Sequence, residues 1–440
     1  MLHRKLAELR REEKPIRVGI VGAGRMGSGV ASQIAEMQGM KVSIIADLVL
    51  DNVLRIYRAN GLQDSDIVAT DDLDLAANAV ADGRAVATTD ASLVSRVPVH
   101  VVVEATGLPE VGARAAYDAI SHRKHIVMLN VETDVVVGPM LKQLADQAGV
   151  VYTVSAGDEP GAAMGLYEYA VALGFRVVCA GKGPMRPIRW DKNPDTVAED
   201  ARRVGLNPKM LASFWDGSKH NIEMTALANA TGLVPDVRGM HAPVVGPRDL
   251  PKVFSLKEQG GILEREGVVD LAAPFTHPDG TTNWQISVTP GVFVVYTTDN
   301  PRIKKDLAYL AQGDGPNYVW YRHYHLCAIE TPYSVARAYL YQEPTIAPLG
   351  RPVAETLTVA KRDLKAGDVL DGSGGFTVTG QIERAEVARA ENILPIGLAY
   401  GVRLTQDATM GQPITYDMVD LDERSFVVQL RRLQDNVLWT

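Results

Sequence analysis

The chain has 440 residues, with 45 Lys and Arg against 53 Asp and Glu, 46% hydrophobic residues and two cysteines. At roughly 100–200 residues per domain this length implies two to four domains, and a net charge of −8 without any basic block argues against nucleic-acid binding. Cys179 and Cys327 show neither CxxC nor Cys/His spacing, which excludes a disulfide framework or zinc ribbon and fits a reducing cytoplasm. The opening MLHRKLAELRREEKP lacks an apolar signal core, and no apolar run reaches the ~18 residues of a membrane span. A soluble, non-exported protein with no membrane partner is expected.

Residues 17–22, RVGIVG, are a β-branched apolar run leading directly into GAGRMGSGVASQIAEM, where Val30, Ile34 and Met37 keep helical spacing. Strand, glycine turn and helix in that order give GxGxxG a structural meaning. Gly22 permits the tight turn, Gly24 lets backbone approach a pyrophosphate, and Gly27 lets the helix pack on the strand. Ala23, Arg25 and Met26 complete the loop, and the helix N-terminus offers N–H groups to phosphates. The second strand, KVSIIAD, ends in Asp47, where the ribose-binding acid of such a motif belongs. A carboxylate there accepts both ribose hydroxyls and repels a 2′-phosphate, which favours NAD over NADP. Arg25, Arg55 and Arg58 are the residues that could reach a phosphate instead.

Further strands are expected in AVATTD (85–90), HVVVEATG (100–107), HIVMLN (125–130) and VVYTVSAG (150–157), separated by helical stretches. This alternation implies a doubly wound parallel sheet. Its ligand lies across the carboxyl ends of the strands, so Thr106, Gly107, Asn130 and Glu132 are expected beside the nicotinamide half; Gly107 also reads as an ordinary helix-start turn. Residues 60–84, acidic and Ala-rich, read as a solvated helical excursion.

Asp158 and Glu159 follow the last of these strands. Two adjacent carboxylates there could bind Mg2+ or Mn2+, move a proton, or cap the next helix. The strand FRVVCAGKGP ends in Lys182 between two glycines, an arrangement suited to polarising a carbonyl or holding an oxyanion if the glycines admit a ligand. In WDGSKHNIEMTALANATG, Lys219 and Glu223 share a helix face, as catalytic residues or as a plain i,i+4 ion pair. Alternation in YRHYHLCAIE would put His323 and His325 on one side of a strand, as metal or phosphate ligands or as structural histidines. The β-forming run QISVTPGVFVVYTT implies a second sheet, whose outer face is a surface for pairing subunits.

From about residue 346 the sequence turns to short strands and glycines and closes on the helical stretch SFVVQLRRLQDNVL. VAKRDLKAGDVL with the later GQPIT turn resembles the SAF domain. Taken with PIRVGIVGAGRMG, EATGLPEVGA, HIVMLNVETDVVVGP, SAGDEPGAAM, AGKG, DGSKHNIEMTALANATGLVPD, GMHAP and PGVFVV, the whole chain resembles the homoserine-dehydrogenase-like group that includes the 1-deoxy-D-xylulose 5-phosphate reductoisomerase-like enzymes. That resemblance implies an α/β fold with a Rossmann NAD(P)-binding domain over 1–155, a central α+β catalytic and dimerisation domain over 156–345, and a small β-rich SAF-like domain over 346–440. It also implies a homodimer. Two departures stand out. Val131 occupies the position after Asn130 where the group's ANK motif has lysine, leaving Lys182 and Lys219 to supply that charge. Asp158-Glu159 lacks the spacer of the metal-binding DSE motif.

These readings converge on an NAD(P)-dependent oxidoreductase acting on a hydroxyl or ketone of a small polyhydroxylated substrate: a sugar, polyol or hydroxy acid, free or phosphorylated. Catalytic candidates are Lys182, Lys219, Asp158, Glu159 and Glu223. The alternatives are 1-deoxy-D-xylulose 5-phosphate reductoisomerase, whose relatives use NADPH, and a non-enzymatic dinucleotide-sensing scaffold.

Overall fold

The structure is a computed structural model that describes residues 1–439. Its contacts divide the chain into two units: the first comprises Met1–Asp158, Leu326–Gly350 and the C-terminal segment from Glu423, the second Glu159–His325 and Arg351–Asp422. The chain passes between the units after Asp158, His325, Gly350 and Asp422. Residues 346–440, however, do not stand as a third body. Their strands cluster with the second unit, while the final helix joins the first.

The first unit is built on seven strands, β1 (Ile16–Val21), β2 (Met40–Ala46), β3 (Ile67–Ala69), β4 (Ala85–Thr88), β5 (Val101–Glu104), β6 (His125–Met128) and β7 (Tyr152–Val154), in the order β3-β4-β2-β1-β5-β6-β7. Every neighbouring pair is parallel. The strands are short apolar runs, buried throughout β4, β5 and β7, as a parallel sheet covered on both faces requires. Ile16, Val18, Ile20, Val101, Val103 and Val127 pack with Val30 and Ile34 of helix Arg25–Glu36 and Val335 and Ala336 of helix Cys327–Tyr341.

Residues 60–84 are not a solvated excursion. They supply β3, the edge strand paired to β4, and helix Leu73–Ala81, which buries Ala76, Ala79 and Val80. Alanine spacing along one helix face, rather than the acidic composition, governs where this segment lies.

The final helix, Phe426–Leu438, is fastened to the first unit by polar contacts. Glu110 accepts hydrogen bonds from Ser425 Oγ (2.8 Å) and from the Phe426 and Val427 N–H groups (3.1 and 2.9 Å), capping its N-terminus. Gln434 receives the Met140 N–H and donates to the Val136 carbonyl, both at 3.1 Å. Pro139 lies in that turn of helix Val131–Ala148, where a proline ring opens the helical ladder and frees backbone groups for such a partner.

In the second unit, β8 (Arg176–Lys182), β9 (Val234–Pro235), β10 (Val268–Leu271), β11 (Val292–Thr297) and β12 (Asn317–Arg322) form a mixed sheet in the order β12-β11-β8-β10-β9. β8 is central, parallel to β10 and antiparallel to β11. Antiparallel β13 (Ala354–Ala360) and β15 (Val378–Arg384) form a two-stranded sheet, and β14 (Val369–Asp371), β16 (Tyr400–Leu404) and β17 (Val419–Asp420) a three-stranded one. All 14 residues of helix Ser218–Thr231 are buried. Its polar positions fasten it to the two-stranded sheet: Ser218 Oγ accepts from Gly380 N (2.9 Å), Asn221 Oδ1 from Ile382 N (2.8 Å) and Asn229 Oδ1 from Val353 N (2.8 Å). Thr225 and Thr356 hydroxyls meet at 2.8 Å. No helix among the described residues is long and apolar enough to cross a membrane.

Candidate active site

In the first unit, the glycine loop has the geometry a dinucleotide requires. Gly22 turns at φ +101°, and a Cβ at Gly27 would lie 1.9 Å from the Gly22 carbonyl, so the helix approaches the strand only because that side chain is absent. A Cβ at Gly24 would meet nothing within 4 Å, which leaves open space above the loop. Gly24 caps helix Arg25–Glu36 without a side-chain hydrogen bond, so its first-turn N–H groups face that space. These residues fit a bound pyrophosphate.

Asp47 follows β2 and is braced against the loop: Oδ2 accepts from Ala23 N (2.8 Å), and Oδ1 from Val49 N (3.0 Å) and Asn52 Nδ2 (3.2 Å). Two of the three arginines that could draw a phosphate, Arg55 and Arg58, are engaged nearby. Arg55 donates to Asn52 Oδ1 at 3.1 Å and Arg58 to Asp64 at 2.8 Å.

Thr106 and Asn130 serve the fold at the carboxyl ends of β5 and β6. Thr106 donates N–H (2.9 Å) and hydroxyl to Glu104, while Asn130 Oδ1 caps helix Val131–Ala148 through Thr133 N (3.1 Å) and its Nδ2 reaches Leu108 O (3.1 Å). Gly107 turns at φ +76°, and Glu132 is buried in the first turn of the Asn130-capped helix. Below them, burial pushes the Glu104 carboxyl up to about 7 against the hydrogen bonds from Thr106. Burial likewise raises Asp134, which accepts from Tyr152 OH at 2.8 Å, to about 7.

The second unit holds the charge cluster. Lys182, at the end of central β8, donates its ammonium to both Glu159, in the first turn of helix Glu159–Ala172, and Glu223 of helix Ser218–Thr231. His325 Nε2 lies 3.4 Å from Glu159, and its Nδ1 meets Pro290 O at 2.8 Å. His220 Nδ1 lies 3.8 Å from Glu223, too far for a hydrogen bond. Side-chain exposure rises from 0% at Glu223 and 1% at Lys182 to 8% at Glu159 and His325, which form the rim.

Burial favours the neutral amine at Lys182, but the charges of Glu159 and Glu223 outweigh it and hold the ammonium above its ordinary range. Burial and the Glu159 charge push Glu223 up, yet the charges of Lys182 and Lys219 prevail and keep it ionised. Burial, with the Lys182 charge, lowers His220 and keeps its ring neutral.

Three buried groups in this cluster have capacity left. Lys182 has three N–H groups and two acceptors. Glu223 Oε1 and His220 Nδ1 have no hydrogen-bond partner. Buried polar atoms are almost always satisfied, so such a group points to a ligand or an ordered water.

Several expectations change. The glycines flanking Lys182 do not make room for a ligand, since a Cβ at Gly181 would lie 1.9 Å from Asp270 O and one at Gly183 2.5 Å from Thr289 N. They let neighbouring backbone close in on β8. His323 and His325 share no strand, because β12 ends at Arg322 and Cys327 opens a helix; His323 is exposed against Tyr324 while His325 joins Glu159. Lys219 and Glu223 do interact through charge, but Glu223's hydrogen bond goes to Lys182.

As for a metal, Asp158 ends the first unit, where Cys327 Sγ approaches its Oδ1 at 3.9 Å, and Glu159 is bonded to Lys182. Asp158, Glu159 and Glu223 bring one carboxylate oxygen each within 4.8 Å of the others, as Glu159 does with His325 and Cys327, but the Lys182 ammonium already bonds both Glu159 and Glu223. His241 stands apart. It is bound to Asp270 Oδ2 at 2.7 Å, and Asp270, registered with Gly181, faces the opposite side of the sheet from Lys182.

Comparison with known proteins agrees with this division of labour. A family model described as the homoserine dehydrogenase NAD binding domain matches residues 22–155, and one described as the oxidoreductase DRL catalytic domain matches residues 157–331. The protein is therefore an enzyme, an NAD(P)-dependent oxidoreductase with its dinucleotide-binding domain first and its catalytic domain after it.

No curated protein matches the chain. Among solved structures, a probable dehydrogenase from Thermotoga maritima is similar at 13% identity over 76% of this chain and 90% of that one, with a TM-score of 0.40. A scyllo-inositol dehydrogenase from Lactobacillus casei with bound NAD(H) and scyllo-inositol is similar at 15% identity over 64% and 74%, with a TM-score of 0.36. An NAD-binding oxidoreductase from Klebsiella pneumoniae is similar at 19% identity over 41% of this chain and 47%, about half, of its own length, with a TM-score of 0.29.

Proposed function

We propose that the protein transfers hydride between NAD and a hydroxyl or ketone carbon of a small polyhydroxylated substrate, a sugar, polyol or hydroxy acid. The observation that carries this reading is the set of unsatisfied groups at one buried point: the third Lys182 N–H, Glu223 Oε1 and His220 Nδ1. A single substrate hydroxyl satisfies two of them, accepting from Lys182 and donating to Glu223 Oε1. In the oxidative direction Glu223, ionised, takes the hydroxyl proton as the carbonyl forms, and the Lys182 ammonium stabilises the oxygen while negative charge develops on it. Bound NAD would supply the hydride acceptor. In the reverse direction Lys182 polarises the carbonyl and protonated Glu223 returns the proton. His220, neutral, is left to orient a second hydroxyl.

The cofactor preference rests on Asp47, whose carboxylate, braced at the end of β2 by Ala23 N and Val49 N, would accept ribose hydroxyls and repel a 2′-phosphate. A second reading, 1-deoxy-D-xylulose 5-phosphate reductoisomerase, draws support from the acid pair Glu159 and Glu223 meeting one cation. In either reading we take the SAF-like resemblance of the C-terminal strands and a cytoplasmic homodimer as working assumptions.

Fluorescence titration with NADH and NADPH, followed by turnover on a polyol and sugar-acid panel and on 1-deoxy-D-xylulose 5-phosphate, with and without Mg2+ or Mn2+, tests the readings. Oxidation of a polyol with reduction of NAD+ to NADH supports the first; NADPH consumption with formation of methylerythritol phosphate replaces it with the second. Binding of NADH without turnover of any substrate favours the sensing scaffold.

A further inference from the structure

We propose that Lys182 is the resident cation of this site, its ammonium filling the position at which Glu159 and Glu223 would otherwise share a divalent metal, so that the enzyme works without one. The inference rests on the proposed reading only for its catalytic consequence. The placement itself is geometric.

Two carboxylates from different helices converging on one point are the usual means of holding Mg2+ or Mn2+. Here both give an oxygen to the same Nζ. Glu223 and Lys182 are sealed at 0% and 1% side-chain exposure; with Asp158 beside Glu159 and Glu223 the acids number three, so it is occupancy rather than charge that excludes a dication, the oxygens Glu159 and Glu223 would give it being already held by the ammonium. A dication would have to displace the ammonium.

The lysine has little means of withdrawing. Its strand is fixed on both sides, Lys182 pairing with Val292 on β11 and Leu271 on β10, and its carbonyl receives Ala272 N–H at 2.9 Å. Gly181 and Gly183 lie against neighbouring backbone. A rotamer change alone would move a buried ammonium away from its two acceptors and leave both acids unpaired.

The substitution also makes chemical sense. A metal polarises a carbonyl oxygen as a Lewis acid; an ammonium with one N–H unassigned does so by hydrogen bonding, and needs no metal-bound water.

Mn2+ binding, followed by the loss of the free-ion EPR signal in the full-length enzyme, tests this without a substrate. Wild type and Glu223→Gln should bind the same number of ions, because the cluster holds none in either. Lys182→Ala should gain one site per chain, tighter than any wild-type binding by at least about tenfold (~1.4 kcal/mol), and Lys182→Ala/Glu223→Gln should lose it. A wild-type ion that disappears in Glu223→Gln overturns the proposal, as does folded Lys182→Ala that gains no ion. If Lys182→Ala does not fold, the comparison of wild type with Glu223→Gln decides the matter by itself. Since the readout is bound Mn2+, the result stands whether or not a polyol substrate is found.

Discussion

Glu223 accepts the ammonium of Lys182 across the junction of helix Ser218–Thr231 with the central strand β8, and neither side chain reaches solvent. Removing one partner of such a pair costs about 3–5 kcal/mol, because the other stays buried and charged. Lys182→Met should therefore abolish turnover, leave NADH binding intact and lower the urea midpoint. The Lys182→Met/Glu223→Gln double variant should recover part of that stability, and a double variant no more stable than the single would show that the pair is not energetically coupled.

Asp47 couples cofactor choice to loop shape, since the carboxylate that would meet the ribose also accepts Ala23 N–H at 2.8 Å. Asp47→Asn keeps much of the brace but loses the charge. NADH should bind more weakly, by about tenfold for the loss of a charge-assisted hydrogen bond, and the NADH/NADPH preference should narrow. Fluorescence titration with both cofactors checks this; an unchanged ratio would remove Asp47 from specificity.

Glu104 and Asp134 bring a pH dependence. Burial raises their folded values to about 7 from ordinary values of 4.5 and 3.8. Between those limits the unfolded chain has released protons that the folded protein keeps, so stability is fully present below the unfolded values. It falls by up to about 1.4 kcal/mol per pH unit per group as pH rises toward 7, then levels off. Urea midpoints at pH 5 and pH 8 should show the decline, and Glu104→Gln should flatten it.

Gln434 offers a test far from the chemistry. Gln434→Leu leaves the Met140 N–H without its acceptor, while the Val136 carbonyl loses one of two donors and keeps Arg431; the unsatisfied N–H costs about 1–3 kcal/mol. Hydrogen exchange at Met140 should accelerate while NADH affinity is unchanged.

What the sequence discloses follows contact range. The glycine loop, Asp47 and most strands of the parallel sheet are legible because each is set within a few tens of residues: a turn needing positive φ, a helix needing a missing Cβ, an acid at a strand end. The charge cluster is not legible as a whole. Lys182 and Glu159 were visible as lone candidates, but their meeting with Glu223 and His325 depends on four segments folding together. His220 stands in the same helical stretch three residues before Glu223, but that spacing does not reveal the meeting with Lys182. The edge strand β3 was hidden by acidic neighbours, and the true role of Gly181 by the ambiguity of glycine, which serves a ligand and a packed backbone equally well.

The final helix belongs to the unit that begins at residue 1. During synthesis, the nucleotide-binding half therefore waits, with Glu110 lacking its capped helix and Val136 lacking Gln434, until the residues from Glu423 onward have emerged. A fragment ending at Asp158 should consequently behave as an incomplete body, prone to chaperone capture, whereas the same fragment with residues 326–350 and 423–439 linked back onto it should mature.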